Sequence, residues 1–371
     1  MSDRLLVATR KGLFTFARAK GRKRPRWSVA KTAFLADPVS VVLADPRDGR
    51  LYVAIGHGHF GVKLHRSTDK GKTWQPIAAP AYPPKPDGQE EKDLNGKVIP
   101  WNTELVWALE AGHASEPKVL WCGTLPGGLF RSTDGGESWK LVESLWNHPK
   151  RREWMGGGAE LAGLHSVCVD PRDGRRVAVG VSCGGVWMTE DGGKNWAQRA
   201  QGMRAAYMPP DRQYDPHVQD PHLVVQCPAA PEVFWAQHHN GIFRTTDGAQ
   251  SWTEIVAKPS SFGFAVAVHP QDPDTAWFVP GVSDEERIPP SGKVIVTRTR
   301  NGGKSFQTLR NGLPQHHAYD LTYRHALDID ETGDRLAFGS TTGGLWVTED
   351  QGDHWETVGE HLPPVYAVRF A

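Results

Sequence analysis

Short apolar runs, each punctuated by glycine, aspartate, serine or proline, recur along the whole chain. Gly128-Leu129-Phe130-Arg131 and Gly344-Leu345-Trp346-Val347 are typical, and Leu5-Leu6-Val7-Ala8 begins the series. Such runs read as short β-strands joined by tight turns. Between pairs of them an eight-residue phrase returns, Ser/Thr-x-Asp-x-Gly-x-x-Trp, at residues 67–74, 132–139, 189–196, 245–252, 299–306 and 348–355. An extended run lies on either side of each copy, so the phrase is the turn of a β-hairpin. A short carboxylate there can accept backbone N–H groups, and the glycine tolerates positive φ. The tryptophan opens the next strand with a large apolar ring. Ala249 stands at one glycine position, and Asn301 with Phe306 replace Asp and Trp in another copy.

The key positions Asp69, Asp134, Asp191, Asp247, Asn301 and Asp350 are 65, 57, 56, 54 and 49 residues apart, room for four short strands and their loops per repeat. A second recurring piece precedes each phrase: an inner strand and its turn, as in 40–46, 165–171, 222–228 and 264–270, with looser versions at 104–110 and 320–326. Together these make six blades. The N-terminus adds strands at 5–9 and 12–16 and places Trp27 where a phrase tryptophan would fall, but lacks an inner strand. The spare strand at 365–370 supplies it. The prediction is all-β: a single seven-bladed β-propeller, closed by pairing of the N- and C-terminal strands so that no sheet edge stays open. One domain covers 1–371, with blades near 1–35 plus 365–371, 36–80, 103–145, 164–201, 221–258, 262–311 and 317–361.

The repeated phrase resembles the Asp-box, or BNR, repeat of sialidases, xyloglucanases, sortilin-type receptors and a photosystem II assembly factor. The chain is similar to bacterial sialidase-like and WD40-YVTN-BNR-like repeat proteins of undetermined role. The resemblance implies the propeller and leaves the activity open, because the chemistry of such folds sits in loops that do not repeat.

Composition narrows the partners. With 43 Lys and Arg against 42 Asp and Glu, net charge is +1 and the signs are mixed, so neither nucleic acid nor membrane is expected as a partner. The basic run 20–26 reads as a solvated hairpin tip. Met1 leads straight into a strand without a charged and apolar leader, and the four cysteines lie on or beside strands. Reduced thiols and a cytoplasmic location are therefore expected.

In a four-stranded blade the phrases all lie on one face of the disc. The opposite face collects the long connections 79–103, 147–164 and 203–221 and the loop 280–293, lengths that usually signify function or disorder. Histidines follow them: His57 and His59, His238 and His239, His316 and His317, and the matched pair His165 and His222 at the starts of neighbouring inner strands. His165 and His222 with Asp320 are the expected ligands of a divalent metal ion such as zinc, manganese or iron. No nucleotide or organic cofactor is expected. His165, His222, Asp320, Tyr319 and Glu104 are the candidate catalytic groups. His57, His59, His238, His239, His316, His317, Arg287 and Trp101 are the candidate ligand contacts, with Trp101 or Trp154 available to stack on a sugar ring. Cys183, in a turn on the same face, is a conceivable thiolate.

Three functions remain open on the sequence. The one that uses most of these residues is a metal-assisted hydrolase or lyase acting on a small polar or carbohydrate-like substrate. A sialidase-like glycoside hydrolase would need paired carboxylates, for which Glu104, Asp215, Asp220, Glu285, Glu286 and Asp320 are available. However, the Arg287-Ile-Pro289 phrase lies in the sixth blade, and no arginine triad of the sialidase kind assembles. A non-catalytic scaffold would dock an unidentified protein partner on the long loops.

Overall fold

The computed structural model describes residues 2–21, 26–86, 88, 90–156 and 159–371. Seven four-stranded antiparallel sheets are arranged as blades. In the first, the C-terminal strand Val365–Phe370 lies innermost against Arg4–Thr9, followed by Gly12–Arg18 and Trp27–Ala33. Leu6 pairs with Arg369 and Val7 with Val368, so the two ends of the chain close the ring as expected. Trp27 is buried at the start of the outer strand. Most of the basic run before it lies outside the described residues.

The phrases fold as read from the sequence. Oδ1 of Asp69 accepts the N–H groups of Lys72 and Thr73, while Ser67 Oγ accepts that of Gly71. Asp191, Asp247 and Asp350 repeat the arrangement, and Asn301 accepts from the Ser305 N–H in the variant copy. The glycine position has φ of +75° at Gly71 and +90° at Gly193, and Ala249 adopts +64° in the same place. The turn therefore imposes the left-handed conformation even on a residue with a Cβ.

Apolar side chains pack between blades. Trp121 of the third blade lies in one cluster with Leu164 and Val179 of the fourth; Trp277 of the sixth lies with Phe338 of the seventh. Described residues of the long connections on the other face pack against the blades. Tyr82 is buried with its hydroxyl donating to the Pro126 carbonyl, and Arg151 stacks 3.8 Å from the ring centre of Trp146 while pairing with Glu91.

One inner strand departs from expectation. The looser segment 320–326 is not a strand. The innermost strand of the seventh blade is only Leu327–Ile329, against Leu164–Val169 or Pro221–Cys227 elsewhere. Before it the chain crosses toward the first blade, where His325 bridges to Ala367 and its carbonyl accepts the Val368 N–H. Backbone that would have continued the strand instead projects Arg324 and His325 into the ring.

Candidate functional site

Arg324 and His325 divide the axis of the propeller into two cavities. The one opening on the long-loop face has about 370 Å³ and is walled by Ser40, Trp107, Phe264, Tyr323 and Tyr366, with Arg287 and Arg324 as its charged groups. No aspartate or glutamate lines it among the described residues. The other, about 840 Å³, runs along the inner strands and is lined by Glu110, Gln226, Asp328 and Arg369 together with His165, Arg324 and His325.

Arg324 is held from both sides. Its guanidinium carbon lies 4.6 Å from the ring centre of Trp107, on the inner strand Leu105–Ala111 of the third blade. It lies 5.5 Å from that of Phe264, on the inner strand Gly263–Val268 of the sixth. Two aromatic faces attract a cation but do not neutralise it. Among the described residues its Nε has no hydrogen-bond partner, nor have Nε2 of His165 and Nε2 of His325. Burial lowers its pKa to about 10, with Asp220 working in the other direction, so it remains charged at neutral pH. Burial, with help from Arg369 and Arg324, pushes His325 down to about 3 and leaves it neutral.

Beside this pocket stands a polar wall centred on Asp220. Asp220 precedes the inner strand of the fifth blade, and its Oδ1 accepts the Cys183 N–H at 3.1 Å and the Ser182 hydroxyl at 3.3 Å. Oδ2 faces Nε2 of His222 at 3.6 Å and Nδ1 of His239 at 3.4 Å. His239 Nε2 lies 3.9 Å from Asp284 in the loop that carries Arg287. The wall and pocket share Phe264, on which the His222 ring stacks at 4.4 Å and 13°. Burial opposes the Asp220 charge, but His222, His239 and Arg324 outweigh it and hold the carboxyl well below the usual range. Burial lowers His222. For His239 burial is outweighed by Asp220 and Asp284, and its pKa rises. His238, buried and pushed down to about 3, turns its ring nitrogens to the backbone N–H groups of Asp220 and Asn240, both at 3.1 Å. A neutral imidazole accepts only one of them.

The structure therefore regroups the expected residues. His222, His238 and His239 meet, around Asp220 and not around Asp320. His165 is buried against Trp107 with Nδ1 2.8 Å from Ser166 Oγ. Asp320 accepts from the Ser340 and Thr342 hydroxyls of the seventh blade. Glu104, Tyr319, His316 and His317 are exposed. His57 pairs with Asp37 at 2.8 Å, and His59 packs on Phe60. Arg287 does line the pocket, tied to Asp284. Trp101, half-buried, packs edge-to-face on Trp146 and lies outside the axial pocket, and Trp154 is buried against Trp187, so Trp154 offers no free face to a sugar. Burial first and Asp220 second push the Cys183 thiol well above its usual value, which opposes a thiolate there. Trp107, Tyr323, Arg324 and Tyr366 escaped the sequence reading. Asp220-Pro221-His222 did carry a signal, an acid and an imidazole two apart at a strand start.

The phrase and the ring define the class: the chain is a seven-bladed β-propeller built on Asp-box repeats. A model of the BNR/Asp-box repeat matches residues 130–141. A sialidase of Bacteroides fragilis is 29% identical over 159 residues, 37% of this chain and 28% of that protein. A probable oligoxyloglucan-reducing end-specific xyloglucanase of Neosartorya fischeri is 32% identical over 159 residues, 42% of this chain and 17% of that protein. The chain thus spans well under half the length of these curated relatives. Among solved structures, the GH74 xyloglucanase from Xanthomonas campestris superposes with a TM-score of 0.65 at 18% identity, covering 98% of this chain and 53% of that one. YCF48 bound to D1 peptide gives 0.52 at 14% identity, over 87% and 81%. These likenesses concern the fold.

Proposed function

We propose that the protein is a carbohydrate-acting enzyme whose substrate carries an acidic group and binds in the axial pocket. The observation that carries this is Arg324: a buried guanidinium, without an ion-pair partner among the described residues, on the floor of a pocket walled by aromatic rings and free of carboxylates. Leaving such a charge uncompensated is costly, and a ligand carboxylate would offset the cost with a bidentate contact. Trp107, Tyr323 and Tyr366 supply apolar faces of the kind that sugar rings stack on. The sialidase and xyloglucanase relatives support a glycan as the ligand class. A pocket with no carboxylate among its described lining residues does not favour the two-carboxylate route of glycoside hydrolysis. It favours hydrolysis or elimination served by the histidine wall of Asp220, His222 and His239.

The test is binding and turnover on matched acidic and neutral oligosaccharides, with product followed by mass spectrometry. Uronic or sialic acid-containing oligomers are expected to bind and react, and Arg324→Met is expected to abolish binding. Preference for neutral xyloglucan fragments, or binding undisturbed by Arg324→Met, would overturn the assignment.

A further inference from the structure

The polar cluster beside the pocket has metal-site geometry that its individual hydrogen bonds do not explain. Oδ2 of Asp220 lies 3.6 Å from Nε2 of His222 and 3.4 Å from Nδ1 of His239, and all three atoms fall within 4.8 Å of one another. Ligands about 2.1 Å from a tetrahedral zinc ion stand roughly 3.4 Å apart, the edge of the coordination tetrahedron. The two distances from Asp220 match that edge and are long for a direct N–H···O bond.

Tautomer geometry points the same way independently. Nδ1 of His222 lies 2.7 Å from the carbonyl oxygen of Gly263, which only accepts, so Nδ1 carries the proton. In the neutral ring the Nε2 lone pair then faces a carboxylate oxygen. Asp220 and His222 are only 2% and 3% exposed, so water does not relieve that repulsion. A cation between them would. The opposite carboxylate oxygen is already engaged by Ser182 and the Cys183 N–H, an arrangement that orients a ligating carboxylate, and the Gly263 contact does the same for the imidazole.

We propose that Asp220, His222 and His239 bind a divalent transition metal, zinc before others. Two imidazoles and one carboxylate suit zinc, whereas magnesium and calcium prefer oxygen alone. Three protein ligands leave a position free beside the partly exposed His239, where a water or a substrate oxygen can bind and be polarised. The catalytic part of this inference rests on the proposed function; the binding part does not.

The experiment uses the full chain without a histidine tag, stripped with chelator, dialysed and titrated with zinc chloride alone by calorimetry, alongside elemental analysis. About one zinc per chain is expected, with affinity weakened at least about tenfold by His239→Ala and by the milder His222→Gln. His165→Ala and Asp320→Asn should leave it unchanged. Cobalt in place of zinc should give visible absorption that disappears in His239→Ala. Failure to retain zinc, manganese or iron would overturn the site. So would binding that survives His239→Ala and is lost in His217→Ala, which would place the ion at Glu153, Asp215 and His217. Arg324→Met that keeps zinc yet loses the glycan separates this inference from the proposed function.

Discussion

Arg324 rests 4.6 Å from the ring centre of Trp107, so a side chain from the approach to the seventh blade is gripped by the inner strand of the third. That contact spans the ring and puts a positive charge on its axis. It exists because the seventh inner strand is three residues long and the chain before it swings inward.

Arg324→Met should raise stability while removing function. The replacement keeps much of the length and packing but deletes a buried charge that has no ion partner among the described residues. A gain on the order of 1–3 kcal/mol in unfolding free energy is expected. Denaturant unfolding of both proteins at neutral pH measures it, and a loss of stability would show that the guanidinium is satisfied in the folded chain.

Across the seam between the seventh and first blades, Glu349 receives Arg18 through two hydrogen bonds, Arg26 through one and the Trp27 indole N–H at 3.3 Å. The Arg18 bond, first among the causes, and the other charges outweigh partial burial and lower the Glu349 pKa to about 2. A depressed folded-state value means the carboxylate contributes stability above its unfolded pKa near 4.5. That contribution fades as pH falls toward 2. Glu349→Gln should cost on the order of 1–2 kcal/mol at pH 7 and progressively less below pH 4.5. A difference between the two proteins that stays constant from pH 7 to pH 2.5 would contradict this account.

Two acids outside the axial pocket should be dispensable for chemistry. Glu104 lies at the surface and Asp320 is tied to two hydroxyls of its own blade, so neither faces the axial pocket. Glu104→Gln and Asp320→Asn are expected to lower kcat by less than about threefold, whereas removing a true general acid or base costs roughly a hundredfold or more. Steady-state kinetics on the acidic glycan decides between them.

All four cysteines should be silent in the native protein. Burial raises the thiol pKa of each, to about 12 for Cys168, and Asp220 adds to the effect at Cys183. Iodoacetamide at pH 8 should label none of them until the chain is unfolded, as read by intact mass. Rapid modification of Cys183 alone would restore it as a nucleophile.

The sequence by itself determined the architecture. Each Asp-box is eight consecutive residues whose hydrogen bonds close within the turn, as from Lys72 and Thr73 to Asp69, so its meaning survives without tertiary context. Repetition at near-constant spacing then dictates blades, and the unmatched strands at the two ends dictate closure. Which histidines meet was decided only by the tertiary structure. His165, His222, His316 and His317 look alike as residues near inner strands. Yet packing around the ring buries the first against Trp107, sets the second beside Asp220, and leaves the last two in solvent. Arg324 was illegible for a related reason. Its role comes from a strand that begins late and from rings on two distant blades, relationships set by packing around an axis that no local pattern encodes.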